Sequence, residues 1–296
     1  MIEFMTERVL PFALTLSIQI FAVSSMLMVG LRYTIGDLAR PLRDISGVVI
    51  ALVTNFVLVP LLAMLLLRAV PLDAPYATGL MIVASAGGAP LLVKLAMNAK
   101  EDVGFAASLI VLLLIGTIIA MPLILPLVAE GARVSAVAIA QPLLITMFLP
   151  LVIGFILRPV IPELARRAVP VLATILGIAL WVMIALSLFL NRNAVLDIVG
   201  HGAIFVSILF IAIAFVLGYV TGGFDKPERV VLGFGASQRN FAAAIVVATQ
   251  AFDEPRVLVM AVVVSIVAML LIPFSTYLGR RKARAGGEHA PPFPSR

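Results

Sequence analysis

Long apolar runs follow one another through almost the whole sequence, separated by short breaks that contain charged residues, proline or glycine. A bilayer core about 30 Å thick takes roughly 20 apolar residues per helix, and the backbone polar groups must be satisfied within the protein. Of the 296 residues, 62% are hydrophobic and 12% are charged, which is more apolar surface than a soluble core needs. The sequence therefore predicts an all-α polytopic membrane protein.

The runs predict nine transmembrane helices within a single transmembrane domain spanning 1–296. The helices are placed at 9–31, 45–67, 76–98, 103–128, 135–157, 168–190, 198–222, 230–251 and 257–279. The first run has no convincing small-residue cleavage site, so it is interpreted as a retained helix rather than a signal peptide. A first repeat is expected near 9–128, a second near 135–279, and a disordered basic tail over 280–296.

Lysine and arginine are distributed unevenly between alternate loops, and most of them fall on one side of the predicted membrane. The positive-inside rule then predicts a cytoplasmic C-terminus and, with nine spans, an N-terminus outside an inner or plasma membrane. This distribution accounts for the net charge of +6 without nucleic acid as a partner. The lipid bilayer is the expected partner, and no obligate protein partner is evident.

Two basic residues, Lys94 and Arg239, lie inside predicted spans, and no acidic residue does. Ionisable groups at that depth are costly and usually face a cavity, a partner or a substrate path. Lys94 is near enough to Lys100 for its side chain to reach the interface, so a site role and an interfacial role both stay open. Arg239 is further from either end of its span, which favours a functional or interhelical role.

Helix-breaking residues occur in the same two spans. SAGGAP places Gly87, Gly88 and Pro90 in the third span, and GFGAS places Gly233 and Gly235 in the eighth. Such breaks are tolerated where the freed backbone groups line a cavity or are buried in protein, although glycine also permits close helix packing. Spans that are five apart run antiparallel, as in an inverted repeat. We therefore predict two crossed discontinuous helices around a site.

Further segments carry a family resemblance. They are MLMVGLRYTIGDLARPLRD (26–44), TNFVLVPLLA (54–63), the Gly-Gly break at 87–88 and the Gln-Arg-Asn break at 238–240. In this order they resemble the bile acid:sodium symporter family of secondary transporters. The resemblance implies a six-helix core with two crossed discontinuous helices, a separate panel, and elevator-like or rocking alternation between them. The core would contain the second, third, fourth, seventh, eighth and ninth helices, with the first helix of ten-helix members missing.

The sodium ligands that the resemblance implies are not matched. Sodium-coupled members carry Ser-Asn at the first break, where this sequence has Leu91-Leu92 or, one register on, Leu92-Val93. They carry a glutamate four residues before Gln-Asn at the second break, where this sequence has Phe234 or Gly235. Sodium is a hard cation that prefers several oxygen ligands. We therefore expect the usual sodium sites to be lost, and no metal site is assigned.

The predicted substrate- or ion-binding residues are Asn55, Lys94, Ser108, Ser237, Gln238, Arg239 and Asn240. In one interpretation Arg239 and Lys94 supply, as fixed charges, the positive potential that bound sodium supplies in relatives, and attract an anion. In the other, Arg239 hydrogen-bonds carbonyls freed at the first break. Lysine loses its proton more readily than arginine, so Lys94 is the candidate carrier of a coupled proton.

The predicted function is secondary active transport of a small organic anion, with sodium, a proton or no ion coupled to it. The alternative is a membrane sensor or receptor that binds an anionic ligand without transporting it. A passive channel is disfavoured, because two broken helices of opposite orientation are typical of alternating access. The sequence has no phosphate loop, metal-ligand spacing or catalytic triad, so an enzyme is not predicted, and no cofactor is expected beyond a coupling ion.

Overall fold

The computed structural model describes residues 8–34, 36, 45–128, 135–200, 202–223 and 227–285. Within these ranges every regular element is a helix, and no strand occurs. The helices are α1 (Leu10–Arg32), α2 (Ile45–Ala69), α3 (Ala74–Ser85), α4 (Leu92–Asn98), α5 (Val103–Val128), α6 (Ala136–Val160), α7 (Pro162–Leu190), α8 (Arg192–Gly200), α9 (Ala203–Thr221), α10 (Arg229–Ser237), α11 (Phe241–Gln250), α12 (Pro255–Ala268) and α13 (Leu271–Ala285). The predicted all-α polytopic fold is confirmed.

Eight helical stretches in the described part of the chain are long and apolar enough to cross a membrane. Two of these stretches are pairs, α10 with α11 and α12 with α13. The predicted span at 76–98 is instead divided into α3, which has 12 residues, and α4, which has 7 residues. Neither half can cross a bilayer alone, so together they form the remaining predicted span.

Three boundaries differ from those expected from the sequence. Helix α7 begins at Pro162 instead of 168, because proline fits the first position of a helix. The predicted span 198–222 is divided at Gly202, whose φ of 73° is left-handed. The expected disorder from 280 is wrong for 280–285, which are helical. Lys282 stabilises this last turn by donating to Lys100 O at 3.1 Å and to Glu101 Oε2 at 3.0 Å. Residues 286–296 lie outside the described ranges.

Helices α2 and α6 each contain one π-helical segment. These segments are Thr54–Leu58 and Leu144–Phe148, and each precedes a proline, Pro60 or Pro150. Proline has no N–H to donate, so the regular hydrogen-bond ladder is interrupted at this point. Single π turns of this kind occur frequently at functional sites. In α2 the wide turn contains Asn55, whose side chain and carbonyl both face the broken helices.

The helices pack in two groups. Helix α1 packs along α7 and the second half of α6, where a Cβ on Gly30 would lie 2.3 Å from Leu151 O. Helices α2, α5, α9, α12 and α13 surround the two broken pairs. These are the panel and the core that the family resemblance implied. The two groups meet where α11 packs against α1 and the first half of α6.

Candidate functional site

The two broken spans meet at their breaks. Helix α3 ends at Ser85 and α4 begins at Leu92, while α10 ends at Ser237 and α11 begins at Phe241. The backbone N–H of Asn240 donates to the carbonyl of Ala86 at 2.9 Å. One break therefore satisfies a backbone group that the other leaves free, as buried polar groups within a membrane require.

Glycine is required at the first break by conformation and by space. Gly88 has a φ of 78°, and a Cβ there would lie 2.6 Å from Leu114 N. The N–H of Gly87 donates to Thr117 Oγ1 at 2.8 Å, and the Thr117 hydroxyl donates to Gly87 O at 2.9 Å. Pro90 lies in the turn that leads into α4. Thr117 is fully buried on α5. Thr117 is not among the residues predicted from the sequence, and its hydroxyl within an apolar run was the available signal.

Gly233 and Gly235 do not form the second break, contrary to the sequence prediction. Both lie inside α10, and the break falls at 238–240. A Cβ on Gly233 would lie 3.0 Å from Phe215 O, and one on Gly235 would lie 2.9 Å from Leu109 Cδ2. These glycines therefore permit close helix packing. The helix restarts at Asn240, whose Oδ1 accepts from the N–H of Ala243 at 3.2 Å as an N-cap.

Arg239 is fully buried at the meeting point of the breaks. Its guanidinium forms five hydrogen bonds of 2.7 to 3.3 Å. The acceptors are Val83 O, Ala84 O, Ala236 O, Asn55 O and Asn55 Oδ1. A guanidinium has five N–H donors, so one side chain joins the ends of α3 and α10 to the π turn of α2.

This geometry has two consequences for the charge of Arg239. First, its donors are directed at carbonyls beside the two breaks and at Asn55, and not at an open ligand site; only Val83 O and Ala84 O lie beside the first break, as the structural interpretation expected. Second, its five acceptors are all neutral oxygens. No carboxylate is among these bonded partners to cancel the positive charge.

Two side chains beside Arg239 have polar atoms without a hydrogen-bond partner among the described residues. These atoms are Gln238 Oε1, Gln238 Nε2 and Asn240 Nδ2, on side chains that are at most 1% exposed. An unsatisfied buried donor or acceptor costs about 1–3 kcal/mol. Asn240 also stands at the N-terminus of α11, where the first backbone N–H groups and the helix dipole favour an anion. These groups are the available ligands at the breaks.

The other predicted site residues differ in their burial and in their contacts. Ser237 is buried and donates to Gly233 O at 2.9 Å, within its own helix. Ser108 is buried on α5 and donates to Gly104 O at 3.0 Å. Asn55 contacts Arg239 directly. Lys94 is not brought to this group, because its side chain is exposed on α4.

A comparison with known protein families identifies the family of this chain. The sequence profile of the sodium bile acid symporter family matches residues 19–198, more than half of the chain. The chain belongs to this family. The match includes the first break and ends before the second. The protein is thus a multi-pass membrane member of the sodium bile acid symporter family, in agreement with the resemblance found in its sequence.

The chain is also similar in sequence to one individual protein, at low identity. The probable sodium/metabolite cotransporter BASS3 of Arabidopsis thaliana, described as chloroplastic, is 25% identical over 195 residues. The match covers 66% of this chain and 45% of the relative. The chain therefore spans less than half of the length of the relative that it matches.

The residues at the breaks do not fit a sodium ion of the kind that the family name implies. Five oxygens that could surround a cation there are already bonded to Arg239. Leu91 and Leu92, at the end of the first break, offer no side-chain oxygen. In the described ranges no group of three His, Cys, Asp or Glu side chains could hold a metal.

Proposed function

We propose that this protein is a secondary active transporter that carries a small organic anion by alternating access. The observation behind the proposal is the fully buried guanidinium of Arg239, which bonds neutral oxygens alone, beside unpartnered amide atoms of Gln238 and Asn240. Broken helices meeting in the core are typical binding sites of secondary transporters. Family membership supports the transporter class.

The groups around the second break support an anionic substrate. Asn240 Nδ2 and Gln238 Nε2 are donors without partners, and the start of α11 adds backbone N–H groups. Carboxylates and sulfonates accept several hydrogen bonds and carry the matching charge. We assign Gln238 and Asn240 as the substrate ligands, and Arg239 as the source of a positive field that does not touch the substrate.

The proposal extends to coupling. In a sodium-coupled relative a bound cation would balance the substrate charge, whereas here the guanidinium already occupies an oxygen cage at the breaks. Transport is therefore proposed to proceed without sodium at this place. Lys94, exposed on α4 and away from the breaks, is proposed only to attract the approaching anion.

Counterflow in proteoliposomes tests the transport class. Vesicles loaded with unlabelled substrate should accumulate a labelled one transiently, which a channel or a ligand-binding receptor cannot do. The probes are a panel of labelled small carboxylates and sulfonates, with a neutral sugar as the negative control. The absence of counterflow for every anion in protein that remains folded contradicts the proposal.

Charge reversal at the two amides tests the site. Asn240→Asp keeps an acceptor for the Ala243 N–H while replacing the free donor by a negative oxygen, and Gln238→Glu is nearly isosteric. Each should lower counterflow by at least about tenfold, since a like charge now faces the anion. Gln250→Glu, at the exposed end of the same helix, is the matched control. Equal losses in all three variants contradict the assigned site.

A further inference from the structure

A cavity of about 900 Å³ lies at the far end of the panel from the α11 contact. It is bounded by the C-terminal ends of α1 and α6 and by the first turns of α7. Its described lining residues include none from the broken helices α3, α4, α10 or α11. The cavity is therefore separate from the proposed transport site, and its ligand is a separate question.

Three arginines line this cavity, namely Arg32, Arg158 and Arg166. Arg158 Nη1 donates to Arg32 O at 2.6 Å, and this hydrogen bond fixes its guanidinium at the end of α1. The guanidinium of Arg32 lies 5.9 Å from the centre of the Tyr33 ring. Arg166 forms an exposed ion pair with Glu163. Among the described residues that line the cavity, three are arginines and none is acidic, so this part of the rim is basic.

The inner wall of the same cavity is apolar. Its apolar lining residues are Leu31, Phe155, Pro159, Pro162, Ala165 and Val169. A ligand that suits the whole cavity must therefore have an apolar body and an anionic end. A free inorganic anion would use the rim alone, and a neutral lipid would bring no charge to the basic rim.

Two arginines of the cavity stand at the ends of helices long and apolar enough to cross a membrane. Arg32 is the last residue of α1, and Arg158 is in the last turn of α6, so both stand where a span ends. Cations at helix ends favour the helix dipole on their own account. That effect needs no cavity, whereas basic pockets between transmembrane helices are suited to anionic headgroups. Planar guanidinium groups bind phosphate oxygens in pairs.

We propose that this arginine-rimmed cavity binds an anionic phospholipid, with the phosphate at Arg32, Arg158 and Arg166 and an acyl chain along the apolar wall. The bound lipid would join α1, α6 and α7 at the membrane surface. This proposal is independent of the substrate and of the coupling ion.

Thermal unfolding of the full chain in a neutral detergent tests the proposal. Phosphatidylglycerol should raise the Tm by several degrees, because a ligand of the folded state stabilises it, while phosphatidylcholine should not. Inorganic phosphate at the same concentration is a separate arm. A full rise with phosphate alone would assign the rim to a small anion and overturn the lipid proposal.

Paired arginine variants locate the effect. Arg32→Gln and Arg166→Gln should each lose more than half of the shift caused by phosphatidylglycerol. Arg167→Gln removes an exposed arginine next in the chain that does not line the cavity, and it should keep the full shift. An equal loss in Arg166→Gln and Arg167→Gln would overturn the proposal in favour of general surface charge. Native mass spectrometry gives a readout that does not depend on variant stability. Arg166→Gln should retain fewer phosphatidylglycerol molecules than the wild type, and Arg167→Gln should retain the same number.

Discussion

Arg239 Nη1 lies 2.7 Å from Asn55 Oδ1, and this bond joins the second broken span to a π turn in α2. The two residues are far apart in the sequence, and Asn55 Oδ1 depends on this donor in the membrane interior, since Asn55 Nδ2 donates to Ala51 O. With Ala84 O, also 2.7 Å from the guanidinium, they connect three spans through one side chain. The stability of the region where the two breaks meet should therefore depend on Arg239 more than on any single apolar contact.

Removal of the guanidinium should destabilise the protein strongly. Arg239→Ala removes a donor from five oxygens, of which Val83 O keeps the Ala86 N–H, and we expect a loss of at least about 3 kcal/mol in the free energy of unfolding. Arg239→Lys should also lose stability, because an ammonium has three donors and no planar fork. Thermal unfolding in detergent measures both. Arg280→Gln, at an exposed position on α13, is the control and should unfold like the wild type.

Guanidinium ion should restore part of the stability of Arg239→Ala. The cage left by the substitution has the size and the acceptors for a free guanidinium, so millimolar guanidinium should raise the Tm of this variant. The wild type, whose cage is filled, should show no rise. If neither protein responds, or both respond equally, the cage does not act as a cation site.

Sodium should not stabilise the wild-type protein. Unfolding is compared in sodium and potassium chloride at equal ionic strength, and an ion that binds the folded state must raise the Tm. Because Arg239 occupies the oxygens at the breaks, we expect equal Tm values. A rise specific to sodium would mean that another set of oxygens binds the ion and that the family's sodium coupling is retained.

Thr117→Val should loosen the first break. The substitution keeps the shape of the side chain and removes both hydrogen bonds with Gly87, which should cost about 1–3 kcal/mol. Thr174→Val on α7 is a matched control, since the Thr174 hydroxyl is exposed and bonds a carbonyl of its own helix. A similar small loss in both variants would show that Thr117 does not support the break.

Gly88→Ala and Gly177→Ala should have opposite effects. At Gly88 the left-handed backbone and the Cβ contact at 2.6 Å both oppose a side chain. The free energy of unfolding should therefore fall by about 1–2 kcal/mol or more. At Gly177, inside α7, no atom lies within 4 Å of the new Cβ, and alanine should gain up to about 1 kcal/mol. Equal Tm shifts of the same sign would contradict this assignment.

The fold was predictable from sequence because it depends on composition and spacing, whereas the site residues stay predictions. Apolar runs fix the spans, and a charge far from the end of a span indicates a buried polar contact, as Arg239 shows. Its partners were not predictable, because four of its five bonds go to backbone carbonyls, which every residue has. Gly233 and Gly235 also could not be distinguished from breakers, since glycine serves packing and bending alike.

The position of Lys94 could not be read from helical periodicity. Residues 86–91 are not helical, so the side-chain phase of α3 does not continue into α4. The sequence places Lys94 within the predicted span 76–98 but does not indicate which face of α4 it occupies. Its exposure on α4 follows from how the break turns the chain, which only the structure shows.

The hydrogen bond from Asn240 N to Ala86 O connects the two breaks through main-chain atoms alone. Any residue other than proline supplies that N–H, and every residue supplies that carbonyl. Point substitutions can therefore change the side chains at the breaks without removing this backbone hydrogen bond. The two broken spans can keep their relative positions while the chemistry of the side chains around them changes.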